Sequence, residues 1–273
     1  MRNRVSILVY GCLTGALLVA RPAAAQFKPE PMSEPSIGEK YHIEGSAGFW
    51  KPFADMSISS ESLGISGSDI DFKRDLGLTD QRFTELHLVG RPSEKQKLFF
   101  QYIPINYTQT ARLTRDIVFN GQLYRVGVPV NSELNWKAYR FGYEYDAFYR
   151  SRGYVGFIVE AKYTDVTATL ATPIINEFAR AQAPIPAIGG TGRIYVVPAI
   201  SITGQLTFFR IPSSISEDYH AHYTDFDLYG TVNFTGNVGA KIGYRSFDVG
   251  YLVKRDTGAF TMKGLYFGIV ARY

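Results

Sequence analysis

From Lys40 to its last residue the chain alternates apolar and polar positions with a period of two, the mark of strands with one greasy face. The clearest stretch sets Tyr139, Phe141, Tyr143 and Tyr145 against Arg140, Gly142, Glu144 and Asp146. The next sets Val155, Phe157, Val159, Ala161 and Tyr163 against Gly156, Ile158, Glu160, Lys162 and Thr164. Aromatic rows backed by charged rows are what a wall between lipid and a polar interior requires.

Ten such segments are expected, each close to the roughly 9–11 residues a tilted membrane strand needs. The first, Tyr41 to Phe53, faces Ile43, Ala47 and Phe49 one way and His42, Glu44 and Ser46 the other. The second, Arg82 to Gly90, carries Glu85 and His87 on one face, and the third runs from Lys97 to Thr110. Weaker sixth and seventh segments lie at Arg193–Val197 and Thr203–Ile211. The eighth opposes Phe226, Leu228, Val232 and Phe234 to Asp225 and Asp227. In the ninth, Val238, Ala240, Ile242 and Tyr244 oppose Lys241 and Arg245, with a slip of phase near Ser246 that reads as a bulge. The tenth places Leu265, Phe267, Ile269 and Tyr273 in one register. The fold class is therefore all-β, a transmembrane antiparallel up-and-down barrel of about ten strands. Eight would follow if the weak pair merged, twelve if Ser57–Ile65 and Ile70–Phe72 formed a further hairpin.

Short connections after even-numbered segments and long ones after odd-numbered segments set the orientation, with the turns periplasmic and the loops external. The long loops are expected at Ala54–Gln81, Ala111–Ser132, Leu170–Gly192 and Pro212–His222. Ahead of the barrel (residues 40–273), Arg2 and Arg4, an apolar run from Val5 to Ala20 and a small-residue stretch ending at Ala25 read as a signal peptide over residues 1–25. Residues 26–39, with Pro29, Pro31 and Pro35, read as an extended periplasmic lead-in.

That leader changes the charge picture. It holds three of the 29 Lys and Arg, none of the 25 Asp and Glu and the single Cys, so the rest is nearly neutral and thiol-free. A near-neutral surface gives no electrostatic footprint for nucleic acid. Aromatics at 15% and 26 glycines fit aromatic girdles and tight sheet packing.

The apolar face that ends on the terminal Tyr273 resembles the closing strand of bacterial outer-membrane barrels. That resemblance makes Leu265, Phe267, Ile269 and Tyr273 an assembly signal for the barrel assembly machinery and places the chain in outer-membrane lipid. Asp69-Ile70-Asp71-Phe72-Lys73-Arg74-Asp75-Leu76-Gly77-Leu78, Phe119-Asn120-Gly121, Val128 to Glu133, Tyr139 to Tyr145 and Ala183-Pro184-Ile185-Pro186 go further. With the closing strand they resemble a group of uncharacterised Gram-negative outer-membrane proteins, broadly like the OmpA and OmpW small barrels, and the likeness implies no particular activity.

Candidate chemistry gathers on the inward face. Glu44, Glu85, His87, Arg140, Glu144, Asp146, Glu160, Lys162, Asp225, Asp227, Lys241 and Arg245 form a charge cluster of both signs. In a narrow barrel the simplest arrangement is a salt-bridged plug, giving a structural or surface-binding protein whose surface ligand is unknown. A narrow conduit for ions or small solutes is the alternative, and a lipid A modifying enzyme the second. An enzyme needs a nucleophile beside a base, yet no serine is tied by spacing to His87 and Glu85, so no catalytic residue is assigned. His220 and His222, near Glu217 and Asp218, could offer zinc two ligands but read more simply as a solvated loop end, and neither metal nor cofactor is expected. Gly77 reads as a turn glycine, and Phe49, Trp50 and Trp136 as girdle anchors.

Overall fold

The structure is a computed structural model that describes residues 36–59, 65–212, 218–253 and 255–273. The expected signal peptide and most of the expected lead-in lie outside the described residues.

Ten long strands close an antiparallel barrel, and no helix occurs among the described residues. In chain order they are β1 (Ile43–Ser59), β3 (Phe83–Ser93), β4 (Gln96–Arg112), β7 (Pro129–Arg150), β8 (Gly153–Ala171), β9 (Asn176–Val197), β10 (Ile200–Ile211), β11 (Tyr219–Asn233), β12 (Val238–Val253) and β13 (Asp256–Arg272). Each pairs with its neighbours in sequence, and β13 returns to β1 from Glu44–Arg272 to Ser59–Thr257. Three short strands supplement the wall. β2 (Ile70–Asp71) adds to β1, while β5 (Ile117–Phe119) and β6 (Gln122–Tyr124) make a hairpin of their own. Ten is thus the number of long strands: the weak sixth and seventh segments are the distinct strands β9 and β10, and among the described residues the expected further hairpin reduces to the pairing of Ser57 and Ile58 with Asp71 and Ile70.

The strands are longer than a membrane demands. At about 3.3 Å per residue and a tilt near 40°, the 19 residues of β8 rise roughly 48 Å, against an apolar belt about 25 Å tall. Two of the expected long loops are consequently short. β8 runs to Ala171 and β9 starts at Asn176, so the expected Leu170–Gly192 loop is mostly strand. β10 and β11 likewise reduce the Pro212–His222 loop to residues 212–218. The prolines of Ala183-Pro184-Ile185-Pro186 read as a loop for a physical reason, since a proline cannot donate to a ladder. Pairing of β9 with β10 stops at Ile188–Phe208, whereas its pairing with β8 continues to Asn176–Ala171. The prolines therefore sit on a sheet edge, where they are tolerated.

The polarity of the two faces also inverts partway up the wall. On β7 the outward residues are Tyr145, Tyr143, Phe141 and Tyr139, then Lys137, Asn135 and Glu133. The inward ones are Asp146, Glu144, Gly142 and Arg140, then Ala138, Trp136 and Leu134. The polarity of the two faces inverts near Ala138 while the pairing with β4 runs through without interruption. The same inversion accounts for the phase slip near Ser246 on β12. No bulge occurs there, because the ladders to β11 and β13 are continuous through Ser246. Outward Tyr244 gives way to Ser246 and Asp248, and inward Arg245 to Phe247.

Candidate functional site: the filled interior and its two ends

The lower half of the interior is a charged network. Arg140 donates from Nε and Nη2 to Glu160 Oε2 at 2.9 and 2.8 Å, and from Nη1 to Gln101 Oε1 at 2.7 Å. Lys162 lies between Glu160 (3.0 Å) and Asp225 (2.8 Å), over the Tyr223 ring. Arg245 reaches Asp225 at 2.9 Å and Gln101 Oε1 at 2.9 Å, with Glu85 at 3.9 Å. Gln101 in turn donates to Glu85 at 2.6 Å, and Lys241 stands 3.9 Å from the same carboxylate. Nearer the periplasm Lys97 bridges Glu144 (2.6 Å) and Asp146 (2.9 Å) beneath the Tyr154 ring. Asp227 accepts from the Tyr266 hydroxyl at 2.8 Å, and His87 packs edge-on to Phe99. Glu44 is held by Arg272 at 2.6 Å. The structure thus brings all twelve of the predicted residues to the interior, ten of them buried and His87 and Lys241 half-buried.

Five charged residues of this network escaped the sequence reading: Glu39, Arg91, Lys97, Arg193 and Arg272. They complete it electrically. The predicted set holds seven carboxylates (Glu44, Glu85, Glu144, Asp146, Glu160, Asp225, Asp227) and four cations (Arg140, Lys162, Lys241, Arg245), and the five additions bring each sign to eight. Lys97 was visible in principle, since it shares its strand parity with inward Gln101.

Glu39 belongs to the segment expected to be lead-in, and the structure ties that segment into the periplasmic mouth from Ile37. The Glu39 carboxylate accepts from Tyr195 (2.7 Å) and Arg193 (3.2 Å), while Arg91 donates to the Glu39 carbonyl. The Ile37 amide donates to Pro198 at 2.8 Å, and Asn233 donates to the Ile37 carbonyl at 2.7 Å. Gly38 between them has a φ of 81°, and a Cβ there would lie 2.7 Å from Arg272 Nη1. Only glycine satisfies both demands.

The upper half of the interior is apolar, contrary to the expected polar lumen. Trp50 and Trp136 are not girdle anchors: Trp50 is fully buried, and both indoles pack on Phe247 at 5.4 and 5.2 Å inside the barrel. Phe49 alone of the three faces outward. Two external loop segments complete this cap. Asn120 and Gly121, with φ of 50° and 79°, form the two-residue turn of the β5–β6 hairpin, whose twist suits positive φ at both positions. That hairpin buries Ile117, Phe119 and Tyr124, and the segment after β2 buries Phe72, Leu76 and Leu78.

Asp75 pins the two segments together. Arg115 donates to its two oxygens at 3.1 and 2.6 Å, and Arg74 and the Asp71 amide add further bonds. Burial pushes the Asp75 carboxyl up, but Arg115, Arg74 and the Asp71 amide outweigh it and hold the group well below the usual carboxylate range. Gly77, at φ 67°, closes the turn that positions Leu76 and Leu78.

A void of about 40 Å³ lies between the layers beside Trp136, Arg140 and Arg245, and one of about 20 Å³ beside Lys97 and Arg193. On the outer wall of the extracellular end, His222 Nε2 lies 2.7 Å from Asp248 Oδ1, whose other oxygen accepts from Thr261 at 2.6 Å. Glu217 lies outside the described residues, and among the described residues no group of three or more His, Cys, Asp or Glu is placed to hold a metal. Leu265, Phe267 and Ile269 face lipid, and Tyr273 ends the same row.

No known sequence family matches the chain, and no curated protein matches it in sequence. Solved structures do match in fold. The outer membrane protease OmpT from Escherichia coli aligns with a TM-score of 0.61 at 7% identity, over 88% of this chain and 99% of that one. Weaker overlaps are Ail, the attachment invasion locus protein of Yersinia pestis (TM-score 0.36, 8% identity, 85% and 99% of the two chains), and the Pseudomonas putida toluene transporter TodX (0.36, 8%, 94% and 93%). With its closed ten-stranded wall, lipid-facing apolar belt and charged interior, the protein is an integral outer-membrane β-barrel.

Proposed function

We propose that the protein is a closed barrel that conducts nothing and works through its extracellular end, as a scaffold for surface binding rather than as an enzyme. One observation carries this reading: the interior is filled twice over, by a charge-balanced network below and an apolar cap above, with voids of only about 40 and 20 Å³. Such voids hold a water or two, far from a continuous path. The long strands support the second half of the reading, since they lift a polar outer wall and the short loops well clear of the bilayer. The non-enzymatic part rests on the His222–Asp248 pair, which lies on an open wall and not in a cleft.

Single-channel recording of the refolded protein in a planar bilayer tests the reading. Folded protein, shown by its heat-dependent gel mobility, is expected to give no current steps. Reproducible steps would overturn the plug and favour a narrow conduit.

A further inference from the structure

The lipid-facing wall carries a cluster of cations that the filled interior does not use. On β1, outward Phe49 is followed by Lys51 and then Phe53. Trp50 pairs with Phe83 on β3, so one further step of that register sets Arg82 beside Lys51. On the other side Phe53 pairs with Lys263 of β13, diagonal to Lys51. All three cations are exposed at the upper edge of the apolar belt: Arg82 and Lys51 stand level with Leu265 and Tyr244, and Lys263 one rung higher, between Phe53 and Ser246.

Their partners are what set them apart. Arg180, also on the outer wall, is neutralised by a two-pronged pair with Asp165 at 2.9 and 2.8 Å. Lys51, Arg82 and Lys263 have no carboxylate within ion-pair distance among the described residues. The nearby Asp80 is bonded to Lys73 at 2.7 Å and to the Ala54 amide at 3.1 Å and is only shared with Lys51 at longer range, while Asp55, across from Thr261, stands diagonal to Lys263, so the cations outnumber the carboxylates around them. Arg82 lies instead 4.5 Å over the Phe49 ring, which touches Phe267 at 5.8 Å. Three like charges on adjoining strands repel one another unless an anion sits between them. Their height at the rim of the lipid belt, on the side away from Ile37 and Tyr273, makes that anion one that the external leaflet supplies.

We propose that Lys51, Arg82 and Lys263 bind a phosphate of an outer-leaflet phosphorylated glycolipid, with its acyl chains lying along Phe49, Phe267 and Leu265. Charge-assisted bonds from a guanidinium and two ammonium groups suit a phosphate, and the aromatic and aliphatic row below suits hydrocarbon.

The test measures binding of fluorescent bisphosphorylated lipid A to the folded barrel in detergent, with dephosphorylated lipid A and phosphatidylglycerol as comparisons. Wild-type protein is expected to bind the bisphosphorylated lipid at least tenfold more tightly than the Lys51→Gln, Arg82→Gln, Lys263→Gln triple variant. The dephosphorylated lipid should not distinguish the two proteins, and Arg180→Gln should bind like wild type. Should the triple variant fail to fold, the single variants decide, each expected to weaken binding at least twofold. Equal affinity of the variants for the phosphorylated lipid would overturn the proposal. So would equal wild-type affinity for phosphatidylglycerol, or full displacement by millimolar inorganic phosphate, which would make the site a general anion patch.

Discussion

The two halves of the interior solve one problem by opposite means. Below, a narrow cavity is closed by Arg140, Lys162 and Arg245 paired with Glu160 and Asp225. Above, it is closed by Trp50, Trp136, Phe247 and residues from two loops, as in an ordinary soluble core. The difference tracks the outside. Where the outer wall meets lipid the interior is polar, and where the outer wall meets water the interior is apolar, so above the lipid belt the barrel has the polarity of a water-soluble protein. A charged layer tolerates trapped water, whereas an apolar layer is stable only when densely packed.

The comparison breaks first at its centres. Arg245→Ala leaves Asp225 short of its two-pronged partner in a buried layer and is expected to cost about 3–5 kcal/mol, read from urea unfolding in lipid vesicles. A second change, Asp225→Leu, should restore a large part of that loss, since exchanging a buried pair for apolar groups is often nearly neutral. Trp136→Ala should cost a similar 3–5 kcal/mol by opening a cavity. No charge change elsewhere should rescue it, and rescue by Asp225→Leu would merge two layers held here to be distinct.

A smaller effect separates the loop part of the cap from the wall. Asp75 titrates below its unfolded value, so the stability it contributes is present above the unfolded pKa of about 3.9 and is lost as pH falls through the folded value. Acid should therefore speed amide exchange in residues 65–78 and 113–124 while the wall strands stay protected. Asp75→Asn should do the same at neutral pH, at a cost of about 1–3 kcal/mol. Acid release of the wall strands at the same pH as the loops would refute a separate latch. The smallest change is expected at the mouth, where Gly38→Ala should free residues 37–39 to proteolysis at a cost of about 1–2 kcal/mol, with the barrel intact.

The barrel was legible because β7 and β8 alternate without a break, and the lower lumen because its inward residues oppose aromatic rows. The cap was not. Alternation reveals which residues share a face but not which face is inside, and the polarity that identifies the inside reverses partway up the wall. Trp50 and Trp136 were misplaced for that reason, and Ser246 looked like a bulge for the same one. β9 hid behind prolines that are harmless only because its neighbour stops short, a fact that belongs to β10. Glu39 was lost because nothing local distinguishes a lead-in that docks from one that does not.

The mouth also says something about time. Arg272 holds Glu44, 228 positions earlier in the chain, and Asn233 holds Ile37, 196 positions earlier. Contacts so distant in sequence form slowly, because the intervening chain must be ordered before they reward it. The periplasmic seal therefore marks the end of assembly: until β13 has zipped to β1, Arg272 has no Glu44 to close against. A barrel halted one strand early would leave its charged layer open to the periplasm, and access to Glu39 would report whether a given molecule had finished.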